Sequence, residues 1–259
     1  MTDKVALVTG GSKGIGLAVV RRLVQEGARV VTGARTTGPE LAALVGCGRV
    51  VAVEVDLATA DGPARLVEAA VRSHGRVDVL VNNVGASEPG PSIEAADDAA
   101  WARVLDATLL SAVRTTRAAI PVLSDGGAVV TIGSGNARHP DPYIPMYSAA
   151  KAALTNFSLG LARELGPRGI RVNTVSPGPV RTPLWTADDG GFAHLIAAQA
   201  GTSAEEVVGS MIPQALRVLT GRFSEPEEVA DLVVFLASAR AANLTGADVA
   251  VDGGMGLGA

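Results

Sequence analysis

The chain has 259 residues, 47% of them apolar and 19% charged, with a net charge of −4 and a single cysteine. That length can bury a sizeable core, while the acidic balance and the lack of any basic block argue against a nucleic-acid partner. Apolar runs such as "DLVVFLA" are too short to span a bilayer, Cys47 has no mate for an internal disulfide, and His74, His139 and His194 lack metal-ligand spacing. The expectation is a cytoplasmic protein with no signal peptide, membrane segment or metal centre.

The first predicted element is the strand "KVALVT" at 4–9, followed by a glycine-rich turn and the helical pattern "GLAVVRRLVQEG" at 16–27. The strands "ARVVTGA" (28–34) and "RVVAVEV" (49–55) come next, then a helix in "DGPARLVEAAVRSHG" (61–75) and the strand "VDVLVNN" (77–83). "GAVVTIG" (127–133), the long helical pattern "SAAKAALTNFSLGLARELG" (148–166), "IRVNTVS" (170–176) and "ADVAVDG" (247–253) complete the series. Each strand run is apolar throughout instead of alternating, as a strand buried on both faces requires. Seven such runs separated by helices predict an α/β fold with a parallel sheet, because parallel neighbours need crossover connections. No linker or repeat divides the chain, so residues 1–259 read as one domain. Residues 183–216 hold no predicted strand.

The turn after the first strand, "TGGSKGIG" at 9–16, admits two readings. Gly10 to Gly14 formally fit G-x-S-x-G, which in a serine hydrolase would make Ser12 a nucleophile. That arrangement draws part of its oxyanion hole from a loop after an earlier strand, and only nine residues precede Gly10. The better reading is a loop that cradles phosphates: glycines allow positive φ and close approach, and the following helix offers unpaired N–H groups.

Farther on stand "NNVG" (82–85), "IGS" ending at Ser134, and "YSAAK" (147–151). Together with "TGGSKGIG", these resemble, in order and spacing, the short-chain dehydrogenase/reductase (SDR) family. The resemblance continues through "VNTVSPGPVRTPL", "SEPEEVADLVVFLAS" and "LTGADVAVDGG". It implies a Rossmann-type, doubly wound sheet of about seven strands in a three-layer α/β/α sandwich, with a substrate loop at about 183–216 and a homotetrameric assembly.

The resemblance also implies roles. Tyr147 and Lys151, four apart in a helical pattern, share one face. A phenol of pKa ~10 is a poor acid or base at neutral pH, and an ammonium beside it, with the positive nicotinamide ring of the oxidised cofactor, favours the phenolate. Tyr147 then exchanges a proton with a carbonyl or alcohol oxygen that Ser134 holds. Cofactor contacts are expected from Gly10, Ser12, Lys13, Gly14, Ile15 and Gly16 in the loop, and from Arg35 after the second strand. Asp56 and Leu57 follow the third strand, with Asp56 expected to bond the adenine amino group. Asn83, Val84 and Gly85 follow the fourth, with Asn82 and Gly85 shaping the turn under the adenosine ribose. Pro177, Gly178, Val180 and Thr182 follow the sixth, and Tyr147 and Lys151 also touch the cofactor. Asn173 is expected near the end of the sixth strand.

The second strand ends in Ala34, not the acidic residue that relatives with an unphosphorylated ribose carry, and Arg35 comes next. With Lys13, it could pair a 2′-phosphate, so NADP(H) is the expected cofactor. The reaction expected is interconversion of a small-molecule carbonyl and a secondary alcohol, in the manner of a 3-oxoacyl reductase or a secondary-metabolite ketoreductase. A cofactor-binding regulatory protein without turnover is the alternative.

One position departs from the family pattern. In "WARVLDATLLSAV", Thr108 stands where the family has an Asn that bends its helix and holds a water leading from the lysine to solvent. Thr108 is expected to bond back to the carbonyl of Leu105 or Val104 and to hold a looser water. Tyr143, Ile144, Met146, Trp185, Phe192 and Met211 are candidates for an apolar substrate wall.

Overall fold

In the computed structural model, which describes residues 1–88 and 93–255, every predicted strand run forms a strand. In chain order the elements begin with β1 (Val5–Thr9), α1 (Gly14–Gln25), β2 (Arg29–Ala34), α2 (Pro39–Val45), β3 (Val50–Glu54) and α3 (Gly62–His74). They continue with β4 (Val77–Asn82), α4 (Asp98–Leu105), α5 (Ser111–Ala119), β5 (Leu123–Ile132), α6 (Pro145–Leu165) and β6 (Arg171–Pro177). Four short helices follow: α7 (Pro183–Thr186), α8 (Phe192–Ala200), α9 (Ala204–Glu206) and α10 (Ile212–Ala215). The last elements are α11 (Pro226–Ala237) and β7 (Asp248–Val251).

The strands form one sheet in the order β3-β2-β1-β4-β5-β6-β7, and every pairing is parallel. Alternate side chains of each strand enter different cores, which explains the unbroken apolar runs. Ala6, Val8, Val30 and Val81 pack under α1, α2 and α11. Leu7, Val31, Leu80 and Val129 pack under α3, α5 and α6. The result is three layers, helices over both faces of a sheet. After β3 at one edge, the chain crosses back to place β4 beside β1. The connections leaving β1 and β4 therefore diverge at the carboxyl ends of the strands, where such sheets hold ligands.

Two segments differ from simple expectation. The stretch around Thr108 is not a continuous α-helix: between α4 and α5, residues Asp106–Leu110 form a wide π-type turn. The strand-free segment 183–216 folds around a small core of its own. There the Trp185 ring meets Phe192 and Phe223 edge-on, at 5.6 and 5.0 Å between centroids. No helix among the described residues is long and apolar enough to cross a membrane.

Candidate active site

β1 runs straight into the glycine loop. Gly10 takes φ +74°, where a side chain would be strained, and its N–H donates to the Gly33 carbonyl at 2.8 Å. A Cβ on Gly16 would run into the Gly10 carbonyl, so the start of α1 sits directly against the end of β1. No side chain caps α1, which leaves its first-turn N–H groups and its positive dipole end available to an anion.

Asn83 fastens this loop. Its amide donates to the carbonyls of Thr9 (2.8 Å) and Gly10 (3.2 Å), while its backbone N–H donates to Thr9 Oγ1 at 2.8 Å. Asn82, expected to shape the turn under the adenosine ribose, points away from the glycine loop: it is buried and donates to Thr116 Oγ1 on α5 at 3.0 Å. Successive residues at a strand end face opposite sides, so only one of the two asparagines can serve the loop.

A cleft of about 630 Å³ opens at this edge. Its lining brings together the glycine loop from Gly10 through Ser12, Lys13, Gly14, Ile15 and Gly16, then Ala34 and Arg35 after β2, and Asp56 and Leu57 after β3. Asn83, Val84 and Gly85 close one side and Thr182 another. Lys13 and Arg35 are both exposed. Asp56 accepts from the backbone N–H of Ala58 at 2.9 Å. Pro177, Gly178 and Val180 lie outside this lining. Gly178 bonds the Val251 carbonyl, and Val180 is buried in a bridge to Ser224. Asn173 holds the approach to β7, donating to the Leu244 carbonyl and accepting from Ala247 N–H. Further lining residues are Leu184, from the expected substrate segment 183–216, and Ala58, Glu88, Arg103 and Asp106, which no sequence motif marks. No hydrogen bond or ion pair among the described residues joins Ser12 to a histidine; His194 pairs with Asp188 at 3.6 Å instead.

Ser134, Tyr147 and Lys151 come together beside the cleft. Ser134 follows β5, its hydroxyl accepting from Asn136 N–H at 3.2 Å and lying near enough to the Tyr147 phenol to favour its ionised form. Tyr147 and Lys151 are one turn apart on α6, with Nζ 5.6 Å from the ring centroid. Lys151 is 2% exposed, and its ammonium donates to the Ile132 carbonyl at 2.6 Å. A Cβ on the cleft residue Gly85 would lie 3.4 Å from that nitrogen, so the lysine reaches the cleft floor.

Burial pushes the Tyr147 phenol above its ordinary value, and the nearby Ser134 hydroxyl partly offsets the rise. The lowering expected from the ammonium alone is therefore not the leading effect: desolvation outweighs it. Lys151 itself is pulled down to about 8, because burial penalises its charge. The unfolded chain holds a lysine proton up to ~10.4, so it carries more protons than the folded chain between about 8 and that value. Stability contributed by this group thus rises with pH across the window, and its cost is greatest below about 8. In thermal melts, Lys151→Met should compare most favourably with wild type near pH ~7 and lose that advantage toward pH ~10. A pH-independent difference would contradict the assignment.

Thr108 behaves differently from expectation. Its buried hydroxyl does not bond back along the helix: it donates to the Ala86 carbonyl and accepts from Ala86 N–H, both at 3.0 Å. Back-bonding falls to Ser111, onto Ala107 at 2.6 Å, and to Thr115, onto Ser111 at 2.7 Å. The wide turn, where Ser111 N–H reaches the Asp106 carbonyl five residues back, supplies the bend. Thr108 then pins that turn to the loop after β4. Thr108→Val deletes both bonds and should cost ~1–2 kcal/mol, a few degrees of melting temperature, while Thr108→Asn, able to donate and accept, should retain most of it. An unchanged melt for Thr108→Val would show that the tie carries no weight.

The proposed substrate wall is only partly available. Trp185 packs edge-on against both Phe192 and Phe223, and Met146 is buried against Val104 and Ala150. Tyr143 and Met211 remain exposed, and Ile144 is part-buried.

A glycine-rich turn at a topological switch point, beside a serine–tyrosine–lysine cluster, is the arrangement of a nucleotide-dependent oxidoreductase of Rossmann type. The family model described as Enoyl-(Acyl carrier protein) reductase matches residues 10–256. The chain belongs to the short-chain dehydrogenase/reductase family, which uses nicotinamide cofactors. It is 37% identical over 257 residues to cis-4-hydroxycyclohexanecarboxylate dehydrogenase of Sinomonas cyclohexanicum, covering 97% of this chain and 96% of that one. The structure of L-sorbose reductase from Gluconobacter frateurii, complexed with NADPH and L-sorbose, is similar with a TM-score of 0.90. It is 36% identical, and the match covers 98% of this chain and 97% of that one. A blue fluorescent protein from a metagenomic library, in complex with NADPH, is similar with a TM-score of 0.84 and 33% identity, over 98% of both chains. These findings place the chain among oxidoreductases, not serine hydrolases.

Proposed function

We propose that the protein is an NADP(H)-dependent reductase that interconverts a small-molecule ketone and the corresponding secondary alcohol. The observation that carries this reading is the Tyr147 phenol, near the Ser134 hydroxyl and one turn from a buried ammonium that reaches the cleft floor. When bound, the nicotinamide cofactor supplies or takes up the hydride. Ser134 orients the substrate oxygen toward the phenol, and Tyr147 donates the proton in reduction or accepts it in oxidation. Lys151 holds positive charge beneath that oxygen and is fixed by the Ile132 carbonyl.

The residues fit a dinucleotide. The uncapped start of α1 and the bare Gly10–Gly16 contact would hold its pyrophosphate, and Arg35 with Lys13 would take a ribose 2′-phosphate. NADPH in two similar structures supports the phosphorylated cofactor. A relative named for a cyclic hydroxy acid and another holding a ketose support a secondary-alcohol substrate. The test is oxidation of NADPH by the purified protein across open-chain 3-oxoacyl thioesters, cyclic ketones and ketoses. Consumption with at least one class is expected. No consumption with any ketone, and no NADP⁺ reduction with the matching alcohols, would sink the reading.

A further inference from the structure

We infer that Arg114 is a positioning residue that sets the adenine end of the cleft, acting through Asp106 and Ala58; the inference rests on the cofactor reading above. Arg114 lies on α5, with its side chain only 20% exposed, and does not itself line the cleft. One terminal nitrogen pairs with Asp106 Oδ1 at 2.9 Å, and the other donates to the Ala58 carbonyl at 2.9 Å. Both partners do line the cleft.

The two contacts join separate walls. Ala58 continues the loop after β3 and donates its N–H to Asp56, the residue expected to meet the adenine. Asp106 opens the wide turn, and two residues farther on Thr108 bonds Ala86 in the loop after β4. The wide turn is thus a crosspiece, fastened by Arg114 to one loop and by Thr108 to the other. A dinucleotide with its pyrophosphate at the glycine loop and its 2′-phosphate at Arg35 places its base between those loops. Their separation decides how well the base is gripped. Arginine suits the role because its planar fork serves a carboxylate and a carbonyl at once, whereas lysine has one nitrogen to offer.

The experiment is calorimetric titration of NADPH and of 2′,5′-ADP into wild type, Arg114→Met and Arg114→Lys. Arg114→Met keeps part of the apolar stem and loses every donor, so both ligands should weaken by the same factor, roughly tenfold. Arg114→Lys should fall between it and wild type. Circular-dichroism melts check the fold. If Arg114→Met does not fold, Asp106→Asn decides, since it keeps the Ala58 bond and should weaken both ligands by about threefold. Unaltered affinity in the folded variants, or NADPH weakened with 2′,5′-ADP unchanged, overturns the inference. Wild type that binds neither ligand overturns the cofactor reading itself, a result recognisably different from failure of the strut.

Discussion

Tyr147→Phe is expected to leave NADPH binding intact and to lower carbonyl reduction by ~10²–10⁴-fold, the range that general acid catalysis contributes. The ring packs against the small core of Val104, Met146 and Ala150, and phenylalanine preserves that contact. Only the hydroxyl disappears. The substitution therefore separates chemistry from folding. A fluorescence titration of NADPH and a steady-state rate, measured on the same preparation, check both halves. Undiminished turnover would assign the proton to another group.

The second large effect concerns cofactor choice. Arg35 and Lys13 are positioned to add charge-assisted hydrogen bonds to a 2′-phosphate, but both are exposed, which screens them. NADPH should bind more tightly than NADH by about 2 kcal/mol, roughly thirtyfold, and the margin should narrow as salt rises. Ala34→Asp combined with Arg35→Ile places a carboxylate at the end of β2 and removes the guanidinium, so the preference should reverse. Equal affinity for the two cofactors in wild type would remove the argument for NADP(H).

The sheet and the central cluster were legible because they depend on local pattern. The strand runs announce burial on both faces, and the Tyr147–Lys151 interval is fixed by helix geometry once α6 exists. What stayed hidden depends on contacts between distant segments. Thr108 read as a helix residue because nothing within "DATLL" announces a wide turn; its partner Ala86 lies 22 residues away. The choice between Asn82 and Asn83 turned on which side of the strand end each residue faces. Trp185 looked like a substrate contact, and only the arrival of Phe223, far along the chain, draws it into a separate core. Arg114 carried no signal, since its value lies in reaching Ala58 across 56 positions.

The account stands most directly on where the hydride and the proton go. NADPH deuterated on either face of nicotinamide C4 can be given to wild type and to Tyr147→Phe with the accepted ketone, and the alcohol read by mass spectrometry. The account predicts one deuterium on the carbinol carbon from one of the two labelled cofactors with wild type, and almost no product from the variant. Unlabelled alcohol from both cofactors, or labelled alcohol formed equally fast by Tyr147→Phe, would contradict it.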